Sequence, residues 1–406
     1  MRVFSRIRGF ELLGNNAVRA ISAAQLLRIL GRSQAWIFVP VYLTQIRGLP
    51  YIFVGLLFFI TAIISLPFSL YGGNLIDRIG RRKIGKILPP VISSLLFILA
   101  ASAYFDLQLL IVVVAFLLIE PFTSVQGILD NVIITDSTIE SSRNDAFSIV
   151  RIFGNIGFSA GPAIGGYLAY VNFALIFTVP AVLTLFEWYF YLRYIHDIKR
   201  ITPALSGGMF KFPSNDRYFL LISTLISVSF LVTGQWGTTL TLFWSGVDHI
   251  TNRFIGTLYA VNGLVVVFFQ VPINYLFLHL RDRHRISIAV LMYAFGFFAL
   301  AFSTNSIFLI LDVVLLTIGE NTISPVIYGL VSKIAPEDRR GQYFGAFQLM
   351  NGLVTPVAPV LGTTLIQYFS FNPVIVWLPI LILGIVSSVF ITAFGKERNR
   401  TGIVPQ

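Results

Sequence analysis

Long apolar runs separated by short polar breaks set the pattern of this chain. They recur at 21–45, 51–72, 84–104, 107–132, 146–169, 172–194, 217–245, 252–279, 286–304, 306–332, 343–368 and 372–394. Each reaches or exceeds about 20 residues, enough to cross a ~30 Å hydrocarbon core as a helix. Strands of a membrane barrel are ~10 residues long and alternate in polarity. These runs do neither, and inside lipid that leaves helices as the way to satisfy the backbone. The pattern predicts an all-α integral membrane protein with twelve transmembrane helices. The polar break at 196–216 carries Pro203, Gly207, Gly208 and Pro213, which interrupt helices. It divides the chain into an N-terminal tail (1–20), a six-helix bundle (21–195), a linker (196–216), a second six-helix bundle (217–394) and a C-terminal tail (395–406).

Composition sharpens this reading. Charged residues make up 12% of the 406 residues, and 56% are hydrophobic. A soluble domain carries about 25% charged residues. The net charge of +11 would suggest a nucleic-acid partner in a soluble protein, but the placement of the bases excludes it. Arg78, Arg81, Arg82, Lys83 and Lys86 follow the second run, and Arg281, Arg283 and Arg285 follow the eighth. Lys333, Arg339 and Arg340 follow the tenth, while Lys396, Arg398 and Arg400 lie in the tail. Of 29 bases, only Arg28, Arg32, Arg47 and Arg253 fall outside the tails, the even-numbered loops and the turns next to them. By the positive-inside rule both termini are cytoplasmic. The lipid bilayer is then the main partner. The two halves also echo each other at nearly constant offset: Trp36 and Trp236, Gly55 and Gly256, Arg143 and Arg340, Pro162 and Pro359, Gly165 and Gly362.

Two stretches carry more than topology. Gly73-Asn74-Leu75-Ile76-Asp77-Arg78-Ile79-Gly80-Arg81-Arg82-Lys83 packs an acid, paired glycines and bases between runs two and three. Bases alone serve topology. The acid adds a contact that would break if the halves moved, and the glycines allow a tight turn. The loop resembles the signature loop of the major facilitator superfamily, and the resemblance extends over essentially the whole chain. It implies alternating access around a cavity lined chiefly by spans one, four, seven and ten. Gly73, Asp77, Arg78, Gly80 and Arg81, with Asp130 and Arg143, are then expected at a cytoplasmic gate. Asp130 and Asp136 are expected to face Arg143 or Arg151 there. The second-half counterpart, Arg281 to Arg285, keeps the charges without the glycine frame. The second stretch, Gly157-x-x-x-Gly161-Pro162-x-x-Gly165-Gly166, lets helices approach closely and bends the rod. It resembles the pattern of the superfamily's drug and proton antiporters.

Charges within the runs are the mechanistic clues, because each is costly in lipid unless paired or hydrated. Glu120 and Glu320 lie near mid-membrane in spans four and ten, and Arg32 lies halfway along span one within reach of Glu120. Thr123 stands where proton-coupled relatives often place an arginine, ahead of Gln126-Gly127, which moves the expected coupling to Glu120 and Arg32. Arg28 is expected to snorkel, and Glu187 to sit near a hydrated interface. Gln235 and Trp236 are candidate cavity contacts on span seven.

Neither metal-ligand spacing nor a nucleotide loop is present, only four histidines and no cysteine occur, and no extramembrane domain is large enough for catalysis. The chain reads as no enzyme, needs no cofactor or metal, and works as a monomer. The function expected is secondary active export of a small amphipathic or apolar compound in exchange for protons. Proton-coupled uptake or uniport of a sugar or organic anion stays open, as does a non-transporting membrane sensor.

Overall fold

The computed structural model describes residues 10–195, 212–336 and 339–394. The expected linker at 196–216 falls largely outside these residues, as do the C-terminal tail and residues 1–9 of the N-terminal one. Among the described residues every regular element is helical. In chain order they are α1 (Asn16–Trp36), α2 (Tyr51–Ile79), α3 (Arg81–Phe105), α4 (Leu109–Ser137), α5 (Glu140–Val171) and α6 (Leu175–Tyr194). Then come α7 (Arg217–Val247), α8 (Asn252–Leu276), α9 (Asp282–Ala299), α10 (Ser306–Ile334), α11 (Arg340–Phe369) and α12 (Pro373–Phe394). Ten of these are long and apolar enough to cross a membrane. The exceptions are α1, whose charges and small polar residues dilute its apolar face, and α9, whose first turn carries Asp282, Arg283 and Arg285. The fold is therefore an all-α, multi-pass membrane architecture.

Local sequence explains where helices begin and turn. Asn15 caps α1, its Oδ1 accepting from the Ala17 and Val18 amides, while its Nδ2 donates to the Ser137 carbonyl at the end of α4 (2.9 Å). Gly80 joins α2 to α3 at φ 97°, a left-handed backbone that excludes most side chains. Prolines interrupt most of the long helices, including Pro121 in α4, Pro162 in α5 and Pro180 in α6. α7 turns through a 3-10 segment at Gly234–Trp236 and a π turn at Phe243–Val247, and α11 breaks at Thr355-Pro356.

Packing divides the described chain into two units: one from 1–206 and 241–263, the other from 207–240 and 264–406. In the first, Ile21, Ile76, Ile84, Leu129, Ile133 and Ala146 form an apolar core near the α2–α3 turn. α1 lies tightly on α5 through the glycine motif. A Cβ on Gly157 would sit 2.7 Å from the Leu26 carbonyl oxygen, and one on Gly161 2.8 Å from that of Leu30. Gly165 meets the Gln34 backbone, whereas Gly166 packs on α8, where a Cβ on it would sit 2.7 Å from the Gly256 Cα. Close helix approach is therefore observed, with α1 and α8 as the partners.

The second unit has its own core, built from Phe219, Ile222, Val290, Ile327, Val331 and Phe347. It repeats one contact of the first. Gly362 of α11 packs on Gln235 of α7, as Gly165 of α5 packs on Gln34 of α1. Large apolar side chains such as Val271, Phe268 and Leu311 stay exposed on the outside of the helices, as a lipid-solvated surface requires.

Candidate functional site

Arg28, Arg32 and Trp36 follow one another at four-residue intervals and share a face of α1. Glu187 and Tyr191 share a face of α6 by the same spacing. These faces meet, with Asp130 of α4 completing the group. Arg28 donates from Nη1 to Glu187 Oε1 (2.6 Å) and from Nη2 to Asp130 Oδ2 and Gln25 Oε1. Tyr191 donates its hydroxyl to the other Asp130 oxygen. All four are buried, and Glu187 is 0% exposed. Asp130 has donors on both oxygens, but Glu187 Oε2 has no protein partner.

One turn along α1, Arg32 donates to Glu120 Oε1 at 2.8 Å, and its guanidinium lies 5.6 Å from the centre of the Trp36 ring. This pair is wetter: its side chains are 41% and 21% exposed. Trp36 stacks on Phe116 (5.3 Å) and meets Phe58 edge-on (4.9 Å). Between the two charged groups lies a cavity of the first unit with about 50 Å³ of room for water-sized occupants. Ile92, Leu96, Phe116, Ile119, Phe177 and Pro180 make its walls apolar, while Thr123, Gln126 and Thr184 add polar points. Cavities need only ~10–15 Å³ by this measure to hold a water, so this one admits a few. It suits protons and water in this state; a larger solute would require the walls to part.

The expected gate residues are distributed around the α2–α3 turn. Arg81 donates from Nε to Asp136 Oδ2 (2.9 Å) and lies 3.2 Å from Asp77. Arg78 is exposed. A Cβ on Gly73 would meet nothing within 4 Å, whereas one on Gly72 would lie 2.8 Å from Ile128. Arg143 reaches the Thr135 carbonyl at the end of α4 (3.4 Å). Asp136 thus joins Arg81, and Asp130 faces Arg28 and Tyr191 instead of Arg143 or Arg151.

In the second unit, Gln235 donates to the Leu231 and Ala358 carbonyls (2.7 and 3.0 Å) and accepts from Thr239 (2.6 Å), binding α7 to α11. Trp236 is half-buried beside it, and Glu320 is half-buried on α10 within electrostatic reach of Tyr293.

The family model for the Major Facilitator Superfamily matches residues 21–290 and again 225–404. The chain belongs to this superfamily. Among its relatives, the class E tetracycline resistance protein of Escherichia coli is 27% identical, with 75% of this chain and 76% of that protein covered. The quinolone resistance protein NorA of Staphylococcus aureus is 25% identical, covering 86% and 89%. The crystal structure of the nucleoside transporter NupG superposes with a TM-score of 0.77 at 13% identity, over 94% of this chain and 100% of that one. Membership makes the chain a secondary transporter of the superfamily type and not an enzyme.

Within this superfamily member, the Arg32–Glu120 contact was legible from sequence, and the Arg28 group was not. Arg28 does not snorkel, because two carboxylates and a glutamine side chain take up its guanidinium inside the bundle. Glu187 is held away from any interface by the same pairing. The available signal was spacing: an acid and a tyrosine four apart in an otherwise apolar helix, facing two arginines four apart in another.

Proposed function

We propose that this chain exports a small amphipathic or apolar compound in exchange for protons, by alternating access of twelve spans in two six-helix bundles, with both termini cytoplasmic. The observation that carries the reading is the charged cavity of the first unit. Arg32 and Glu120 form its wet end, Trp36 and Phe116 supply an aromatic wall, and a second group of charges lies behind. Charges inside a membrane protein are retained where they bind or relay ions. Protonation of an acid there and occupation by substrate would each lower affinity for the other, which is the linkage an exchanger needs. Relatives named for tetracycline and quinolone resistance support outward transport of such compounds. Glu320 in the second unit is the corresponding acid of the other half, and Gln235 and Trp236 on helix seven are its candidate cavity contacts. Arg81, shared between Asp77 and Asp136, is the contact that opening of the cytoplasmic side would remake. The glycine motif would keep α1 and α5 moving as one piece.

The test is reconstitution into vesicles with an imposed pH gradient and a panel of fluorescent amphipathic dyes. Dye should accumulate on the side that protons leave. Accumulation alongside protons would replace this reading by coupled uptake. Glu120→Gln should weaken driven transport, and Asp77→Asn should slow turnover more than it weakens binding.

A further inference from the structure

Counting charge around the cavity leaves an imbalance. Arg28 and Arg32 bring two positive charges, and Glu120, Asp130 and Glu187 bring three negative ones. Arg32 is committed to Glu120. Asp130 has Arg28 on one oxygen and the Tyr191 hydroxyl on the other, so its anion is well solvated by donors. Glu187 accepts a single bond at Oε1 from the same Arg28, and its Oε2 is buried with no protein donor. A fully buried carboxylate with one bare oxygen is the least stable anion of the three.

We infer that Glu187 is the proton-binding carboxyl of this cavity, its proton resting on Oε2 while Oε1 accepts from Arg28. Its use in transport rests on the exchange proposed above; its existence does not. The groups facing Glu187 are Arg28 of α1, Asp130 of α4 and Tyr191 on its own helix, with Arg32 and Glu120 across the cavity. α3 contributes only Ile92, Leu96 and Leu99 to the lining. The exit path is built from the same lining. Glu187 opens on the cavity, as does Gln126, whose amide nitrogen and oxygen also have no protein partner. Water admitted between them by a small parting of the walls would have the polar partners it needs. It can carry the Glu187 proton to the exposed end beside Glu120. Deprotonation leaves Arg28 shared between two anions, so the site gains one negative charge when the proton departs.

Infrared titration of the full-length protein in vesicles, with isotope-labelled glutamate, tests this. At neutral pH a protonated glutamate carbonyl band should be present, should shift in deuterium oxide, should vanish in Glu187→Gln and should persist in Glu120→Gln. A band that survives Glu187→Gln, disappears with Glu120→Gln alone, or is missing from the wild type overturns the assignment. Should Glu187→Gln not fold, wild-type spectra with glutamate or aspartate labelled separately decide: titration of a buried glutamate supports the assignment, and titration confined to aspartate overturns it. In transport, Glu187→Gln should lose gradient-driven accumulation and keep gradient-independent exchange. Driven transport in the wild type that Glu187→Gln leaves intact defeats the Glu187 assignment while the exchange reading stands. A wild type indifferent to the pH gradient, with the band still lost in Glu187→Gln, defeats the exchange reading while the proton site stands.

Discussion

Arg28 and Arg32 are one helical turn apart on α1, yet their loss should have very different consequences. Arg28→Met removes the counter-charge from two buried acids and strips donors from Asp130, Glu187 and Gln25 together. Breaking a buried pair by deleting one partner costs ~3–5 kcal/mol, because the charge left behind must be neutralised or solvated. At about 1.4 kcal/mol per decade, that is two to three and a half decades in the folding equilibrium. Arg32→Met breaks a pair whose side chains are 41% and 21% exposed. Pairs of that kind contribute only ~0–1 kcal/mol. The assay is reversible unfolding in mixed micelles, followed by tryptophan fluorescence. The control is a charge-free variant, Arg28→Met with Asp130→Leu and Glu187→Leu. Replacing a whole buried ionic group with apolar side chains is commonly neutral or stabilising, so this variant should regain most of what Arg28→Met alone loses. Equal effects of Arg28→Met and Arg32→Met, both below about 1 kcal/mol, would refute the burial argument. So would a triple variant no more stable than the single one.

Four further outcomes are expected. Gly157→Ala places a Cβ 2.7 Å from the Leu26 carbonyl oxygen and 2.9 Å from the Leu30 nitrogen; it should lower stability by ~1–3 kcal/mol in thermal unfolding. Gly73→Ala meets nothing within 4 Å in a helix, and should be neutral or stabilise by up to ~1 kcal/mol. Gly80→Ala forces a side chain onto a φ of 97°, a left-handed strain of ~1–2 kcal/mol. Burial pushes the Asp248 carboxyl from its ordinary 3.8 up to about 7. Because the folded protein keeps that proton where the unfolded chain has lost it, stability should fall from about pH 4 to about pH 7 and then level off. Asp248→Asn should remove that part of the slope, as read from unfolding midpoints across this range.

The sequence pattern carried the helical, lipid-embedded architecture because apolar length is a one-dimensional property. The Gly80 turn and the close packing of Gly157, Gly161 and Gly165 were legible for a similar reason: backbone demands are local. Which helix those glycines approach was not, since a small-residue stripe says that something packs there and not what. Depth alone placed Arg32 within reach of Glu120, and the structure pairs them. Depth misled for Arg28, because snorkelling and burial predict the same position along the helix and differ only in the partner. That partner, Glu187, sits on a helix whose apolar composition suggests a supporting role. Asp130 lies nearly three turns beyond Glu120 on α4, close in sequence to Arg143 and Arg151, but its helical face turns it toward α1.

The most direct measurement follows protons without any imposed gradient. Purified protein in vesicles with an entrapped pH indicator is supplied with the dye it transports best. Opposed movement of protons and substrate requires that inward dye flux drive protons out and make the vesicle interior more alkaline, and that Glu187→Gln abolish this signal while dye still equilibrates. An interior that acidifies, or a wild type that moves dye with no pH change, would contradict the account.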